Sequence, residues 1–218
     1  MLLQAQAPNA AHHTLWDLVM DGGFLMIPLA VLLLISIYIF VERCIVITNA
    51  SRQDPTFMKR LRENVMEGDI DNAERLCKRT DSVYARLIEK GLSRLGRSTD
   101  EVMAVLENTG NIQLSKLSRG FAWLSTTAAA APMIGFLGTV VGMMEAFFAM
   151  ADAGSSVSLA QLGGGISLAL VTTVAGLVVG ILALFGYNFL TSRINKVMTN
   201  MEAQTMDFMD LLNEPSKA

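Results

Sequence analysis

Three long apolar stretches, separated by polar sequence, dominate the hydrophobic pattern of this chain. They cover residues 23–47, 121–150 and 162–190. A helix of about 20 apolar residues crosses a bilayer core of roughly 30 Å, so each stretch is long enough for one span. The pattern therefore predicts an all-α integral membrane protein with three transmembrane helices.

Small residues recur at steps of three and four along the second and third stretches, so they share one face of each predicted helix. Lipid tails give helices no hydrophobic reason to associate, whereas small residues let two backbones approach closely. Both faces are therefore expected to pack against protein. The glycines predicted to serve helix packing are Gly135, Gly138, Gly142, Gly165, Gly176 and Gly180.

The polar segments set the predicted topology. Most basic residues lie between the first two stretches, whereas the N-terminal tail and the turn at 151–161 contain no Lys or Arg. The positive-inside rule then predicts an N-terminus outside the cytoplasm and a cytoplasmic C-terminus. The predicted segments are a periplasmic segment with an interfacial helix around Trp16 (1–22), the first span (23–47), a cytoplasmic helical region (48–100), a cytoplasmic extension joined to the second span (101–150), a periplasmic turn (151–161), the third span (162–190) and a cytoplasmic C-terminal helix (191–218).

Capping residues and helical stripes refine the cytoplasmic part. Asp54-Pro55 and the run from Ser98 to Glu101 have the composition of helix starts. Gly68, Gly91 and Gly96 are predicted to end helices. An apolar stripe then continues towards Phe121 and predicts one long helix through the second span. A second stripe, expected to pack against that extension, comprises Leu190, Ile194, Val197, Met198, Met201, Phe208, Met209 and Leu212.

Composition supports a membrane protein and excludes several other classes. The 218 residues are 52% hydrophobic and only 17% charged, with a net charge of −3, which gives no basic field for nucleic acid. Cys44 and Cys77 have no disulfide or metal spacing, and His12 and His13 lie together near the N-terminus. Without a P-loop, zinc spacing or nucleophile elbow, the sequence predicts neither an enzyme nor a metal or cofactor site. We also expect no cleaved signal peptide.

Polar side chains inside the spans are the remaining candidates for chemistry. Thr139 and Thr173 lie near the middle of the second and third spans, with Thr172 and Ser167 close by. Such hydroxyls either bond to their own helix or line a narrow hydrated path, and the sequence leaves both readings open. Glu145 is costly inside a membrane and is a candidate for a proton path, although it lies near the outer end of its helix.

Two motifs in these spans resemble those of a known family. The run from Ala131 to Met143 is APMIGFLGTVVGM, which resembles the AP-x-x-G-x-x-GTV-x-G motif of the ExbB/TolQ/MotA proton-channel family. The run from Gly165 to Leu177 resembles the third-span motif of that family, and the order of segments matches its ExbB/TolQ branch. By motif position, Thr139 and Thr173 match the two pore threonines of the family.

The resemblance implies a homopentameric ring in a bacterial inner membrane whose second and third spans line a central pore. An ExbD/TolR-like partner with one span and a membrane aspartate would lie inside the pore. Proton entry to that aspartate would drive movement of the partner, with a TonB/TolA-like energy transducer delivering force to outer-membrane transport or envelope maintenance.

One position departs from the family pattern. Leu168 occupies the place where ExbB and TolQ usually have Glu in the third span. The partner's carboxylate would then be the only titrating group in mid-membrane. Two alternatives stay open: a MotA-like stator subunit, against which the three predicted spans argue, and a membrane scaffold that conducts nothing.

Overall fold

A computed structural model describes residues 22–51, 56–153 and 159–213 of the chain. These ranges contain seven α-helices and no strand, in agreement with the predicted all-α class. The interfacial helix around Trp16, the cap at Asp54-Pro55 and residues 154–158 of the predicted turn lie outside the described residues. Residues 151–153 and 159–161 of that turn belong to helices. The helices are α1 (Met26–Ala50), α2 (Phe57–Met66), α3 (Ile70–Arg79), α4 (Val83–Leu92), α5 (Thr99–Leu117), α6 (Phe121–Ala153) and α7 (Leu159–Asn213).

Three of these helices, α1, α6 and α7, are long and apolar enough to cross a membrane. The 25 residues of α1 have a length of about 37 Å at 1.5 Å per residue, which exceeds the thickness of a bilayer core. The chain is therefore a multi-pass membrane protein. The third predicted span and the predicted C-terminal helix are parts of one 55-residue helix, α7.

The prediction of one long helix from residue 101 into the second span is wrong. α5 ends at Leu117, and α6 begins at Phe121. Gly120 lies between them with a φ of +89°, in the left-handed region that interrupts a right-handed helix. The backbone N–H of Ser118 closes α5 on the Leu114 carbonyl at 2.9 Å. The apolar stripe did not reveal this break because its spacing continues on both sides of the turn.

The chain divides into two compact units, one comprising residues 37–124 and 185–218 and the other residues 1–36 and 125–184. In the first unit, α2, α3, α4 and α5 pack consecutively. Side-chain caps define the helix starts, since Asp69, Ser82 and Ser98 accept hydrogen bonds from backbone N–H groups three residues ahead. The cap predicted at Ser98 is thus confirmed.

The core of this unit explains the C-terminal stripe. Phe208 is fully buried, and its ring lies against Gly91, where an added Cβ would be 2.6 Å from Cε1. Gly91 lies in the last turn of α4 and serves packing there, and the helix ends one residue later at Leu92, close to the predicted stop. Met201 lies beside Gly110 of α5, so this part of the stripe packs against the predicted partner region. Met198 is an exception, because 42% of it is exposed.

Candidate functional site

The two small-residue stripes face each other within one chain, in the unit that includes residues 125–184. Each stripe is covered by the stripe of the other helix, so both are buried inside the chain. The buried residues of the stripes are Ala131, Gly135, Gly138, Gly142, Ala146, Gly165, Ala169, Thr172, Gly176, Gly180 and Ala183.

The approach of α6 and α7 is close enough to bring backbone against backbone. A Cβ built on Gly142 would lie 2.5 Å from the carbonyl oxygen of Gly165 and 2.8 Å from the amide nitrogen of Ala169. A Cβ on Gly176 would lie 2.5 Å from the carbonyl oxygen of Ala131. Backbone atoms cannot rotate away as a flexible side chain can, so these glycines set the distance between the helices.

Thr173 forms a polar contact between the two helices. Its hydroxyl donates to the carbonyl oxygen of Gly135 on α6 at 3.1 Å and is also 2.9 Å from the carbonyl oxygen of Ala169 on its own helix. The carbonyl of Gly135 is within reach because no side chain at that position holds the helices apart. Thr173 is half-buried, so part of the side chain stays at the edge of the helix pair.

Thr172, the neighbouring residue, is placed differently. It is fully buried beside Gly138, and its hydroxyl is 2.8 Å from the carbonyl oxygen of Leu168 and 3.1 Å from that of Ala169. The hydroxyl is therefore bonded within its own helix and covered by α6. In this structure it is not open to solvent or to another chain, unlike Thr173.

The remaining candidate side chains are more accessible. Thr139 is half-buried, and its hydroxyl donates to the carbonyl oxygen of Phe136 at 2.6 Å. Ser167 is half-buried and Glu145 is exposed. Leu168 packs beside Gly23, where an added Cβ would lie 3.0 Å from its Cδ1. The structure thus joins Thr173 to the helix contact but leaves Glu145 apart from it.

Two buried hydroxyls were not singled out from the sequence as site residues. Thr127 is fully buried, and Ser36 is 6% exposed. Neither hydroxyl oxygen has a hydrogen-bond partner among the described residues. Thr127 follows Ser125 and Thr126, which are exposed, so composition alone could not separate it from them. The only sequence feature that distinguishes Thr127 is its position on the small-residue face, four residues before Ala131.

The chemistry of this site is that of dipoles and not of ionised groups. Between Phe121 and Leu190 the ionisable side chains are Glu145, Asp152 and Tyr187. Hydroxyls and carbonyls can orient water or a visiting polar side chain, but they do not titrate near neutral pH. Nor do the described residues contain a group of three or more His, Cys, Asp or Glu side chains that could hold a metal ion.

Comparison with known proteins gives a consistent picture. Residues 79–203, more than half of the chain, match the model of the MotA/TolQ/ExbB proton channel family. A Methanothermobacter thermautotrophicus protein named as a homolog of the biopolymer transport protein ExbB is 26% identical over 190 residues, which cover 87% of this chain and 67% of that protein. TolQ of the Haemophilus influenzae Tol-Pal system is 29% identical over 75% of this chain and 76% of its own. Biopolymer transport protein ExbB of Neisseria meningitidis serogroup A is 28% identical over 91% of this chain and 94% of its own.

Proposed function

Because the chain belongs to the MotA/TolQ/ExbB proton channel family, in its ExbB/TolQ branch, we propose that it is the channel-forming motor subunit of an inner-membrane complex. The complex converts proton motive force into mechanical work for outer-membrane transport or envelope maintenance. The observation that carries the proposal is that Thr173 donates a hydrogen bond to the carbonyl oxygen of Gly135 while part of its side chain stays accessible. The surrounding residues of the two spans are apolar, and none near the middle of the spans carries a carboxylate.

The proposed partner is an ExbD/TolR-like protein with one span and a membrane aspartate. Leu168 supplies no carboxylate, and Glu145 lies towards the end of its helix, so the proton acceptor has to be the aspartate of the partner. Burial among Thr139 and Thr173 would raise the pKa of that aspartate through desolvation and allow protonation near neutral pH. A TonB/TolA-like transducer would receive the resulting movement.

The available free energy is sufficient for such a movement. One charge crossing 100 mV releases about 2.3 kcal/mol. Each pH unit across the membrane adds about 1.4 kcal/mol. Together they exceed the thermal energy several times and shift a two-state arrangement of the partner helix by more than a hundredfold.

The proposed assembly is a homopentameric ring, with the N-terminus periplasmic and the C-terminus cytoplasmic. Since the small-residue stripes are used inside each chain, contacts between subunits and with the partner would involve outward faces of α6 and α7. These faces carry exposed apolar residues, including Phe136, Val140, Leu170, Val174 and Leu177. The same faces meet lipid wherever no protein covers them.

The test replaces the accessible hydroxyls without changing side-chain volume. Thr139→Val and Thr173→Val are compared with Thr173→Ser, which keeps a hydroxyl, and with Thr126→Val on an exposed part of α6. The measurement is proton flux through the complex with its partner in proteoliposomes, together with complex assembly by size-exclusion chromatography. We expect both valine variants to assemble and to lose proton-dependent activity, while Thr173→Ser and Thr126→Val retain it. Full activity of both Thr139→Val and Thr173→Val would favour the scaffold that conducts nothing, for which Leu168 is the supporting feature.

A further inference from the structure

A small polar pocket lies where α1 and α7 leave their apolar stretches. Its volume is about 240 Å³, and it lies within the unit of residues 37–124 and 185–218. Thr48 and Ser51 line it from α1, and Arg193, Lys196 and Asn200 line it from α7. Two cations, two hydroxyls and an amide form a donor set suited to phosphate oxygens.

The two cations of this pocket are not neutralised by acidic neighbours. Among the described residues, no carboxylate lies within ion-pair distance of Arg193 or Lys196, whereas Arg43 on α1 pairs with Glu42 at 2.6 Å. The Arg193 guanidinium instead lies over the ring of Phe189, 5.2 Å from its centroid. The pocket is therefore a concentrated positive site that can accept an anion without breaking an ion pair.

The depth of the pocket matches the headgroup layer of a bilayer. The apolar stretch of α7 ends at Leu190, so Arg193 and Lys196 lie about 5 Å and 9 Å further along the helix axis. The headgroup region adds roughly 5–8 Å on each side of the hydrocarbon core. Arg193 thus lies within the headgroup layer, and Lys196 lies at its outer edge, once the apolar stretch is placed in the core.

Two pairs of packed aromatic rings lie near the same end of the spans. Phe40 of α1 and Phe189 of α7 pack with ring centroids 6.0 Å apart, and Phe121 and Tyr187 pack at 6.1 Å. Among these four residues, Tyr187 is the type that collects at membrane interfaces, with its ring towards the core and its hydroxyl towards water.

We propose that this pocket binds the phosphate of an anionic glycerophospholipid in the leaflet at the basic end of the spans. The buried side chains of Ile47 and Val197 form its apolar floor. This floor and the membrane depth favour a lipid headgroup over a free phosphate ion. The bound lipid would link the end of α1 to α7 through its headgroup, at the level where α7 leaves the membrane.

The test measures lipid preference with the full chain in phosphatidylcholine vesicles. Trace spin-labelled phosphatidylglycerol or phosphatidylcholine is added, and electron paramagnetic resonance gives the fraction of motionally restricted label. Each surface cation contributes about fivefold to the binding of an anionic headgroup. The wild type should prefer phosphatidylglycerol, Lys196→Gln should lower the preference about fivefold, and Arg193→Gln/Lys196→Gln should abolish it. Lys196→Arg should keep it.

The matched control changes the same amount of charge near the end of another span. Lys116 and Arg119 are exposed beside the start of α6 and do not line the pocket, so Lys116→Gln/Arg119→Gln should keep the preference. Equal losses in both double variants would overturn the proposal in favour of diffuse surface charge. Loss of the wild-type preference on adding inorganic phosphate at constant ionic strength would overturn the choice of a lipid over a free ion. Circular dichroism of each variant verifies that the fold is kept.

Discussion

Replacing Gly176 with alanine tests whether backbone contact between α6 and α7 sets the geometry of the site. The new Cβ would lie 2.5 Å from the carbonyl oxygen of Ala131, 2.8 Å from the Cα of Gly135 and 3.0 Å from its nitrogen. Ordinary contacts begin at 3.4 Å, so the helices must separate by about 0.9 Å. Overpacking of this kind costs about 1–3 kcal/mol. Separation also stretches the Thr173–Gly135 hydrogen bond, and a bond of this type contributes about 0.6 kcal/mol.

Gly164→Ala is the matched control, because a Cβ on Gly164 meets nothing within 4 Å. Both substitutions raise helix propensity by roughly 1 kcal/mol, so the difference between the two variants isolates the steric cost. We expect Gly176→Ala to be about 2–3 kcal/mol less stable than Gly164→Ala. The assay is unfolding of the full chain in mixed micelles of dodecylmaltoside and SDS, followed by tryptophan fluorescence. Equal stability of the two variants would refute the argument that these helices touch through their backbones.

Three further predictions concern the unit of residues 37–124 and 185–218. Phe208→Ala should lower the free energy of unfolding by about 3–5 kcal/mol, because the ring is fully buried, and the loss should appear in thermal unfolding. Ser98→Ala removes the hydroxyl that accepts from the Glu101 N–H, so it should cost about 1 kcal/mol and speed amide exchange in the first turn of α5. Burial, with smaller contributions from Glu89 and Glu74, raises the pKa of Cys77 from 9.0 to about 12. The Cys77 thiol is therefore ionised at a lower pH in the unfolded chain than in the folded protein, which favours unfolding as the pH rises. Between pH 9 and 12 the free energy of unfolding of the wild type should fall relative to that of Cys77→Ala. A constant difference between these two proteins over that range would contradict the raised pKa.

The sequence predicted the small-residue face well, because a helix places residues three and four apart on one side whatever covers that side. The sequence could not show which helix or which subunit packs against that face. Gly176 and Gly135 have the same composition signal whether they meet each other or another subunit, and only the structure shows that they meet in one chain. The break at Gly120 was missed for a related reason. An apolar stripe indicates which side of a helix is buried, but it does not predict the φ angle of a single glycine. Gly110, in the same region, remains helical, so the presence of a glycine did not distinguish the two positions.

The sequence also could not predict which of the two adjacent threonines is buried, because that depends on how α6 packs against α7. Thr172 and Thr173 are adjacent, so they are about 100° apart around α7, and their chemistry is identical. The close approach of α6 separates them by covering Thr172 with Gly138 and leaving Thr173 at the edge of the contact. The carbonyl oxygen of Gly135 is 3.1 Å from the Thr173 hydroxyl, and a Cβ added at position 135 would lie 3.0 Å from the carbonyl oxygen of Thr172 and tend to push the helices apart. Helix packing and hydroxyl placement therefore depend on the same backbone contact, and a substitution that widens it should move the Thr173 hydroxyl even when every polar residue is retained.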